Sequence, residues 1–396
     1  MTASAALAGM ARTSAWQEDL YTHLHEQPEL SMQEVKTAAE ITRRLESFGY
    51  AVHQIGGGVV GVLANGPGRT VLFRADIDAL PVTENTGLAY SSKVDGVSHA
   101  CGHDAHITCA LGAAECLSLA PESWSGTYVA LFQPGEETAQ GAAAMVSDGL
   151  LTAIPKPDVA LAQHVLTAPE AGHVSTAAGP VLSAGDSIKV TVFGKGSHGS
   201  MPHLGVDPVV LAASIITRLQ GVVAREIAPS DFGVVTVGSV QAGTKSNIIT
   251  DRATLLVNVR AYDMAVRDVL IAAIERIVRG ECATSGSPQE PTFEYYDQYP
   301  LTSNHVAPTD VVTEAFRRHF GAERVHPMAQ IPASEDFSRI PDAFGIPYTY
   351  WGLGGFTPGM PVVANHNPGF APAIQPTLRT GTEAAVVAAL AYLGKE

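Results

Sequence analysis

The sequence Val-Ser-His-Ala-Cys-Gly-His-Asp-Ala-His, residues 97–106, concentrates metal-binding side chains in one short stretch. Residues 99–106 include three histidines, one cysteine and one aspartate. Gly102 separates Cys101 from His103, and because glycine lacks a Cβ the backbone there can loop so that both side chains turn toward one ion. A thiolate and an imidazole suit zinc and other late transition metals. A polar loop with an incidental cysteine is the alternative explanation, so the remaining sequence has to decide between the two.

Length, charge and cysteine content limit the class of protein. The chain has 396 residues, and at ~150 residues per domain we expect two or three domains. The formal net charge of −15 argues against nucleic acid or an anionic membrane surface as a partner. Four cysteines in a chain of this length do not form a disulfide framework. We see neither a signal peptide nor an apolar run long enough to span a membrane, so the expected location is cytoplasmic.

Further candidate ligands follow predicted strands. A continuous apolar run over 127–133, typical of a buried parallel strand, leads to Glu136 and Glu137, and a strand over 158–163 leads to His164. Adjacent carboxylates repel unless a cation lies between them or one is protonated. The pair therefore offers one ligand and one candidate general base, although a solvated acidic turn would also explain it. Together with Cys101 these residues lie at one edge of a predicted sheet, which favours metal-dependent catalysis.

The periodicity predicts two domains of different character. Residues 1–184 and 298–396 alternate strands and helices, which predicts an α/β catalytic domain with a mixed, largely parallel sheet. Residues 185–297 alternate apolar and polar positions within strands, which is typical of half-buried antiparallel strands in an inserted α+β domain. The insertion carries His198 in a Gly/Ser loop, where an imidazole could contact a substrate oxyanion or simply face solvent. Near the C-terminus, we interpret 352–355 as a glycine turn that could cradle an anion.

Two shorter patterns complete the local predictions. Asp76 and Asp78 follow a predicted strand over 70–74, where they could serve function or form a turn before Pro81. Ser31 followed by Glu34 has the spacing of a capping box, which predicts that a helix over 32–48 begins there.

Ten motifs then follow one another in the order RADIDALP, HACGHDAH, QPGEE, QHV, GKGSHGSMPH, GTKSNIITD, VRAYD, SEDF, GLGG and HNP. In this order they resemble the metal-dependent amidohydrolases typified by hippurate hydrolase, bacterial N-acyl-amino-acid aminoacylases and plant auxin-conjugate hydrolases, which are relatives of carboxypeptidase G. The resemblance extends from Leu24 to His366. The combination of HACGHDAH with QPGEE is highly specific, whereas SEDF or GLGG alone would be weak.

The resemblance implies two divalent metal ions per subunit, zinc or manganese with cobalt as a further option, bound between two lobes. The implied metal ligands are Cys101, His103, Glu137, His164 and His366. Cys101 would bridge the two ions in place of an aspartate found in carboxypeptidase relatives. Asp76 falls where those relatives carry a ligand histidine, so its role is open.

The resemblance also implies roles around the metals. Glu136 would be the general base, and His198, contributed by the partner subunit, would stabilise the oxyanion. Asn247 and Arg260 would bind the substrate's carboxylate, with Gly354 and Gly355 nearby. The inserted domain would be a dimerisation lid, through which the protein would form a homodimer or a higher homo-oligomer.

The implied activity is hydrolysis of small-molecule N-acyl amino acids to a carboxylic acid and a free amino acid. The alternatives are an amidase acting on N-acetyl-diaminopimelate, aminobenzoyl conjugates or dipeptides, or a metal-binding scaffold that has lost catalysis.

Overall fold

The computed structural model describes residues 2–395, which fall into two units. Unit 1 comprises Met1–Val181, Ser303–Ala329 and Asp336–Glu396, and unit 2 comprises Leu182–Thr302 and Gln330–Glu335. From the sequence, residues 330–335 were predicted to belong to the catalytic domain. They belong to unit 2 because Leu182 bridges Ile331 and the Ser183 N–H donates to the Ala333 carbonyl at 2.8 Å.

The strands of the described chain have the following bounds: β1 (Ala51–Ile55), β2 (Gly58–Asn65), β3 (Thr70–Asp76), β4 (Gly126–Gln133), β5 (Val159–Glu170), β6 (Val174–Thr176), β7 (Gly179–Leu182), β8 (Ala184–Phe193), β9 (Ser197–His198), β10 (Gly233–Ala242), β11 (Ile248–Ile249), β12 (Arg252–Ala261), β13 (Thr292–Tyr299), β14 (Thr302–Asn304), β15 (Val325–Pro327) and β16 (Tyr348–Phe356). The helices are α1 (Thr2–Leu7), α2 (Met10–Glu26), α3 (Val35–Ser47), α4 (His103–Leu119), α5 (Gly141–Ser147), α6 (Leu150–Ala153), α7 (Pro208–Leu219), α8 (Gly221–Glu226), α9 (Met264–Thr284), α10 (Val306–Phe320), α11 (Arg339–Phe344) and α12 (Ile374–Leu393).

Unit 1 is built on an eight-stranded sheet in the order β1-β2-β4-β3-β5-β16-β6-β15. The central pairs β4–β3, β3–β5 and β5–β16 are parallel, whereas β1–β2 and β2–β4 are antiparallel. The predicted α/β class with a mixed, largely parallel sheet is confirmed. The apolar runs of β3, β4 and β16 are buried almost throughout, as expected for strands covered on both faces.

The register of this sheet brings the motif-bearing strand ends together. Asp76 at the end of β3 pairs with Gln133 at the end of β4, and His164 on β5 pairs with Gly352 on β16. The sequence predicted that His164 follows a strand. Because β5 continues to Glu170, His164 instead lies inside that strand.

Helix α4 delivers the central motif to the same edge. The helix begins at His103, because Gly102 before it adopts φ 88°, the left-handed conformation that favours glycine. The helix is almost wholly buried and packs against α2, α12 and β3. Its alanines allow this close approach, since a small side chain leaves room for neighbouring backbones.

Unit 2 contains a four-stranded antiparallel sheet in the order β10-β12-β8-β13. Alternate residues of β12 are buried, and they form one apolar core with residues of α7, α8 and α9. Asp207 and Asp263 cap α7 and α9 by accepting backbone N–H bonds at 2.8 and 2.7 Å. The stretch Pro208–Arg225 has the length and apolar composition of a membrane span, but its Leu211 and Ile215 belong to this core.

Candidate metal centre

The protonation of His103 is set by its contacts. The Nδ1 atom lies 2.9 Å from the Asp78 carbonyl oxygen and 3.1 Å from Asp78 Oδ1. Both oxygens accept, so Nδ1 carries a proton and Nε2 is the nitrogen that faces the cluster. The Nε2 atom is buried without a hydrogen-bond partner and lies 3.8 Å from Glu137 Oε1. A histidine held by a carboxylate through one nitrogen and open at the other has the arrangement of a metal ligand.

His164 has the same arrangement. Its Nδ1–H donates to the Val165 carbonyl at 2.9 Å, which leaves the Nε2 lone pair 3.5 Å from Cys101 Sγ. Burial and the nearby His106 hold the pKa of His164 well below its usual value. The ring is therefore neutral, as a metal ligand must be.

The loop after β4 presents the two glutamates. Gly135 adopts φ 54°, and its N–H donates to Glu34 Oε1 at 2.8 Å. A short 3₁₀ turn, Glu136–Thr138, follows, and the Glu137 N–H donates to Asp78 Oδ2 at 3.0 Å. Carboxylate oxygens of Glu136 and Glu137 lie within 4.8 Å of a ring nitrogen of His103 and of each other. Asp78 thus holds both His103 and the loop of Glu137.

His366 completes the cluster from a remote part of the chain. Its Nε2 lies 3.2 Å from Glu137 Oε1, and a ring nitrogen lies within 4.8 Å of Cys101 Sγ and a Glu137 oxygen. His366 adopts φ 67°, a conformation rare for a residue with a side chain, and its N–H donates to the Ala100 carbonyl at 2.7 Å. All five ligand candidates from the sequence therefore lie in one cluster within unit 1.

The charges of the cluster fit divalent cations. Hydrogen bonds with Cys101 and Glu137 raise the pKa of His366 to about 10. Burial opposes charge on His103, yet Asp76 and Cys101 raise its pKa well above the usual value. The anionic neighbours that stabilise a proton on these two rings would equally stabilise a bound cation, and metal binding would displace the protons. His103 Nε2 is buried without a hydrogen-bond partner, and Glu137 Oε1 lies 3.2 Å from His366 Nε2. The mixture of sulfur, imidazole and carboxylate donors suits zinc and related metals.

Asp76 and His106 lie beside the cluster but have other partners. The Val165 N–H donates to His106 Nε2 at 2.8 Å, so His106 Nδ1 carries the proton and donates to Asp76 Oδ1 at 2.5 Å. The other Asp76 oxygen accepts from Arg74 Nη1 at 2.7 Å. These contacts make Asp76 and His106 partners of Arg74 and of strand β5, and both side chains also offer atoms within 4.8 Å of His103 and His164.

Within unit 2, His198 and Asn247 are neighbours. His198 on β9 pairs with Ile248 on β11, and the Gly199 N–H donates to the Asn247 carbonyl at 2.8 Å. The Ser200 N–H donates to His198 Nδ1 at 3.2 Å. Since a backbone N–H can only donate, the proton of this exposed ring is on Nε2.

Arg260 lies on β12, near the end of that strand away from Asn247. It pairs with Gly185, whereas Arg252, at the end nearer Asn247, pairs with Phe193. Eight residues of extended strand span about 26 Å, so Arg260 and Asn247 of one chain cannot grip one carboxylate together. Arg260 Nη1 donates to the Ser334 hydroxyl, and its Nε donates to Asn258 Oδ1 at 3.0 Å.

The predicted glycine turn at 352–355 is wrong. Gly354 and Gly355 lie inside the buried strand β16, and the Gly354 N–H donates to the His173 carbonyl at 3.0 Å. This N–H is therefore not available to an anion. A Cβ at Gly354 would collide with the backbone of Glu170, which explains the glycine by close approach of two chain segments.

Comparison with known proteins identifies the family. Residues 72–390 match the family described as Peptidase family M20/M25/M40. The chain is 36% identical to hippurate hydrolase of Campylobacter jejuni over 81% of this chain and 83% of that protein. It is 35% identical to thermostable carboxypeptidase 1 of Saccharolobus solfataricus over 86% of both chains.

A solved structure shows the same fold. The crystal structure of a Bacillus subtilis protein, described as a dinuclear metal-binding peptidase of the M20 family, superposes with a TM-score of 0.79 at 28% identity, covering 96% of this chain and 98% of that one. The chain belongs to the M20 peptidase family and is a metal-dependent amidohydrolase.

Proposed function

We propose that the protein hydrolyses the amide bond of N-acyl amino acids, releasing a carboxylic acid and a free amino acid. The observation that carries this proposal is the pairing of Glu136 and Glu137. Glu137 lies among the ligand candidates, while the neighbouring Glu136 carboxylate faces the same His103 nitrogen within 4.8 Å. One carboxylate can thus bind metal while the other handles protons. The hippurate hydrolase relative supports the substrate class.

The residues that would hold two divalent cations are Cys101, His103, Glu137, His164 and His366. When bound, the cations would polarise the substrate carbonyl and lower the pKa of the attacking water. Zinc, manganese and cobalt all suit this donor set, so the proposal covers the three.

Glu136 moves the proton. It takes a proton from the attacking water as the carbon–oxygen bond forms, and it then gives that proton to the leaving nitrogen as the carbon–nitrogen bond breaks. One carboxylate within hydrogen-bond reach of both atoms suffices for this shuttle. Its burial, with 5% of the residue exposed, limits competition from bulk water.

His198 would donate its Nε2–H to the developing oxyanion. The Ser200 N–H donates to His198 Nδ1, which leaves the ring proton on Nε2. Nε2 is therefore the nitrogen that can donate to the substrate, which supports this role. Losing such a donor typically costs ~10²–10³ in rate.

We propose that the active form is a homodimer in which His198 acts on the partner's site. Two observations support the dimer. The separation of Arg260 from Asn247 means that both can reach one substrate carboxylate only if they come from different subunits. Edge strand β10 carries no charged residue over Gly233–Ala242, and an uncharged edge is suited to pairing with another strand. The cytoplasmic location stays a prediction from the sequence.

A substrate panel tests the activity. Metal-reconstituted protein would be offered benzoyl, acetyl, long-chain acyl and indoleacetyl amino acids, together with dipeptides and aminobenzoyl conjugates, and chelator-treated protein would be the control. We expect chelator-sensitive release of amino acid from a subset of the N-acyl substrates. Turnover of dipeptides alone would favour the peptidase alternative, in line with the carboxypeptidase relative. No turnover by protein holding two ions would contradict the proposal.

A further inference from the structure

Asn365 contacts the sulfur of Cys101, one of the proposed metal ligands. Its Nδ2 atom lies 3.6 Å from Cys101 Sγ, 3.3 Å from the Cys101 carbonyl oxygen and 3.4 Å from the Val165 carbonyl oxygen. All three neighbours are acceptors, so the side-chain amide must present its NH₂ group to them. The amide therefore donates toward Cys101 and Val165 together.

Val165 links this amide to a second ligand. The Val165 carbonyl also accepts the Nδ1–H of His164, which fixes the orientation of that ring. The Val165 N–H is held separately by His106 Nε2. Asn365 thus shares an acceptor with His164, contacts Cys101 and directly precedes His366.

We propose that Asn365 is a positioning residue that sets both the geometry and the donor strength of the Cys101 sulfur. This inference rests on the proposed ligand set. An N–H donated to a thiolate withdraws electron density from sulfur and restricts its rotation, while the contact with the Val165 carbonyl supports the orientation of the His164 ring, whose Nε2 lies 3.5 Å from Cys101 Sγ. Partners of this kind behind metal ligands typically change metal affinity ~10–100-fold when removed.

Cobalt spectroscopy separates this role from a general effect on folding. Wild type, Asn365→Ala, Asn365→Asp and the control Asn367→Ala would be loaded with Co²⁺, and the sulfur-to-cobalt charge-transfer band would be recorded. The retained metal would be measured during titration with a competing chelator. Asn367 is a matched control because it lies in the same loop and its side chain accepts from the Gly369 N–H.

We expect Asn365→Ala to shift the band to longer wavelength, because the sulfur becomes more electron-rich, and to lower the affinity for the weaker-bound ion by ~10–100-fold. Asn365→Asp should lower it further, since an oxygen would face three acceptors, and Asn367→Ala should match wild type. If Asn365→Ala does not fold, Asn365→Ser, which keeps a shorter donor, should show the same shift to a smaller extent.

A band and an affinity equal to wild type in the folded Asn365 variants would overturn the inference. The Cys101→Ser variant distinguishes a failure of the role proposed for Asn365 from a failure of the proposed ligand set. Loss of the band in Cys101→Ser with no change in Asn365→Ala would remove only the positioning role. A band that persists in Cys101→Ser would show that the proposed ligand set is wrong, and the inference would fall with it.

Discussion

Single hydrogen bonds decide which nitrogen each candidate histidine presents. Asp78 and the Val165 carbonyl hold the protonated Nδ1 atoms of His103 and His164, so the Nε2 atoms of both rings face the cluster. His106 is oriented the other way by the Val165 N–H and cannot serve in the same manner. The candidate ligands His103 and His164 thus each meet a backbone carbonyl, whereas the supporting His106 meets a backbone N–H.

Asp78 should therefore control metal affinity. Asp78→Ala removes the carboxylate that accepts from His103 and from the Glu137 N–H, so we expect a ~10–100-fold loss of affinity. The measurement is metal content at equilibrium with a competing chelator. Asp158→Ala is the matched control, because Asp158 accepts from the Thr70 N–H at the start of β3. Equal affinity in Asp78→Ala and wild type would contradict this assignment.

Local sequence motifs predicted most of the candidate ligands, but they could not predict the residues that hold those ligands in place. Cys101 and His103, like Glu136 and Glu137, are close in sequence, and strand ends suggested where they meet. Asn365 lies 264 residues from its partner Cys101, and a lone asparagine beside a histidine carries no signal of such a contact. Asp78 was noted as one of a pair, but only the fold shows that it, and not Asp76, holds His103.

At the scale of elements, the start of α3 shows how the site overrides local capping. The predicted capping box of Ser31 and Glu34 is wrong. Glu29 accepts from the Lys36 and Thr37 N–H groups, Ser31 donates to Asp78, and Glu34 accepts from Gly135. Both predicted capping residues are thus used by segments that carry the site, a long-range demand that a four-residue pattern cannot show.

Glu34 should make stability pH-dependent. Burial raises its pKa to about 7 from an ordinary value of 4.5. Below about pH 4.5 both the folded and unfolded states are protonated. As the pH rises to about 7 only the unfolded chain loses the proton, so the folded state loses stability, and the loss is complete above about pH 7.

Glu34→Gln keeps an acceptor for the Gly135 N–H and does not titrate. The free energy of unfolding of Glu34→Gln, relative to that of wild type, should increase by on the order of 3 kcal/mol as the pH rises from about 4.5 to about 8. Urea unfolding of the metal-free proteins across this range measures the difference, with Glu46→Gln on the exposed surface of the same helix as control. A constant difference between Glu34→Gln and wild type would contradict the assignment.

At the scale of the whole molecule, the sheet of unit 2 keeps Arg260 and Asn247 of one chain too far apart to bind the same carboxylate. The alternation in 185–297 indicated antiparallel strands, but strand order and register had to come from the fold. With Arg260 near the end of β12 and Asn247 before the start of that strand, the roles proposed for them require two chains.

Mixed dimers test that requirement. His198→Ala and Glu136→Gln should each be nearly inactive alone. If His198 acts on the partner's site, a hybrid dimer has one site with both residues intact, and random pairing of equal amounts should restore about a quarter of wild-type activity. Action within one chain would restore none. The measurement is activity after subunit exchange, with unmixed variants treated identically.

The most direct test of the central claim compares Glu136→Gln with Glu137→Gln, the same chemical change at adjacent residues. Metal content per subunit and kcat on an accepted N-acyl amino acid would be measured together. We predict that Glu136→Gln keeps two ions and loses ~10²–10⁴ in kcat, whereas Glu137→Gln loses metal as well as activity. Near-full activity of metal-loaded Glu136→Gln would contradict the assignment of Glu136 as the general base.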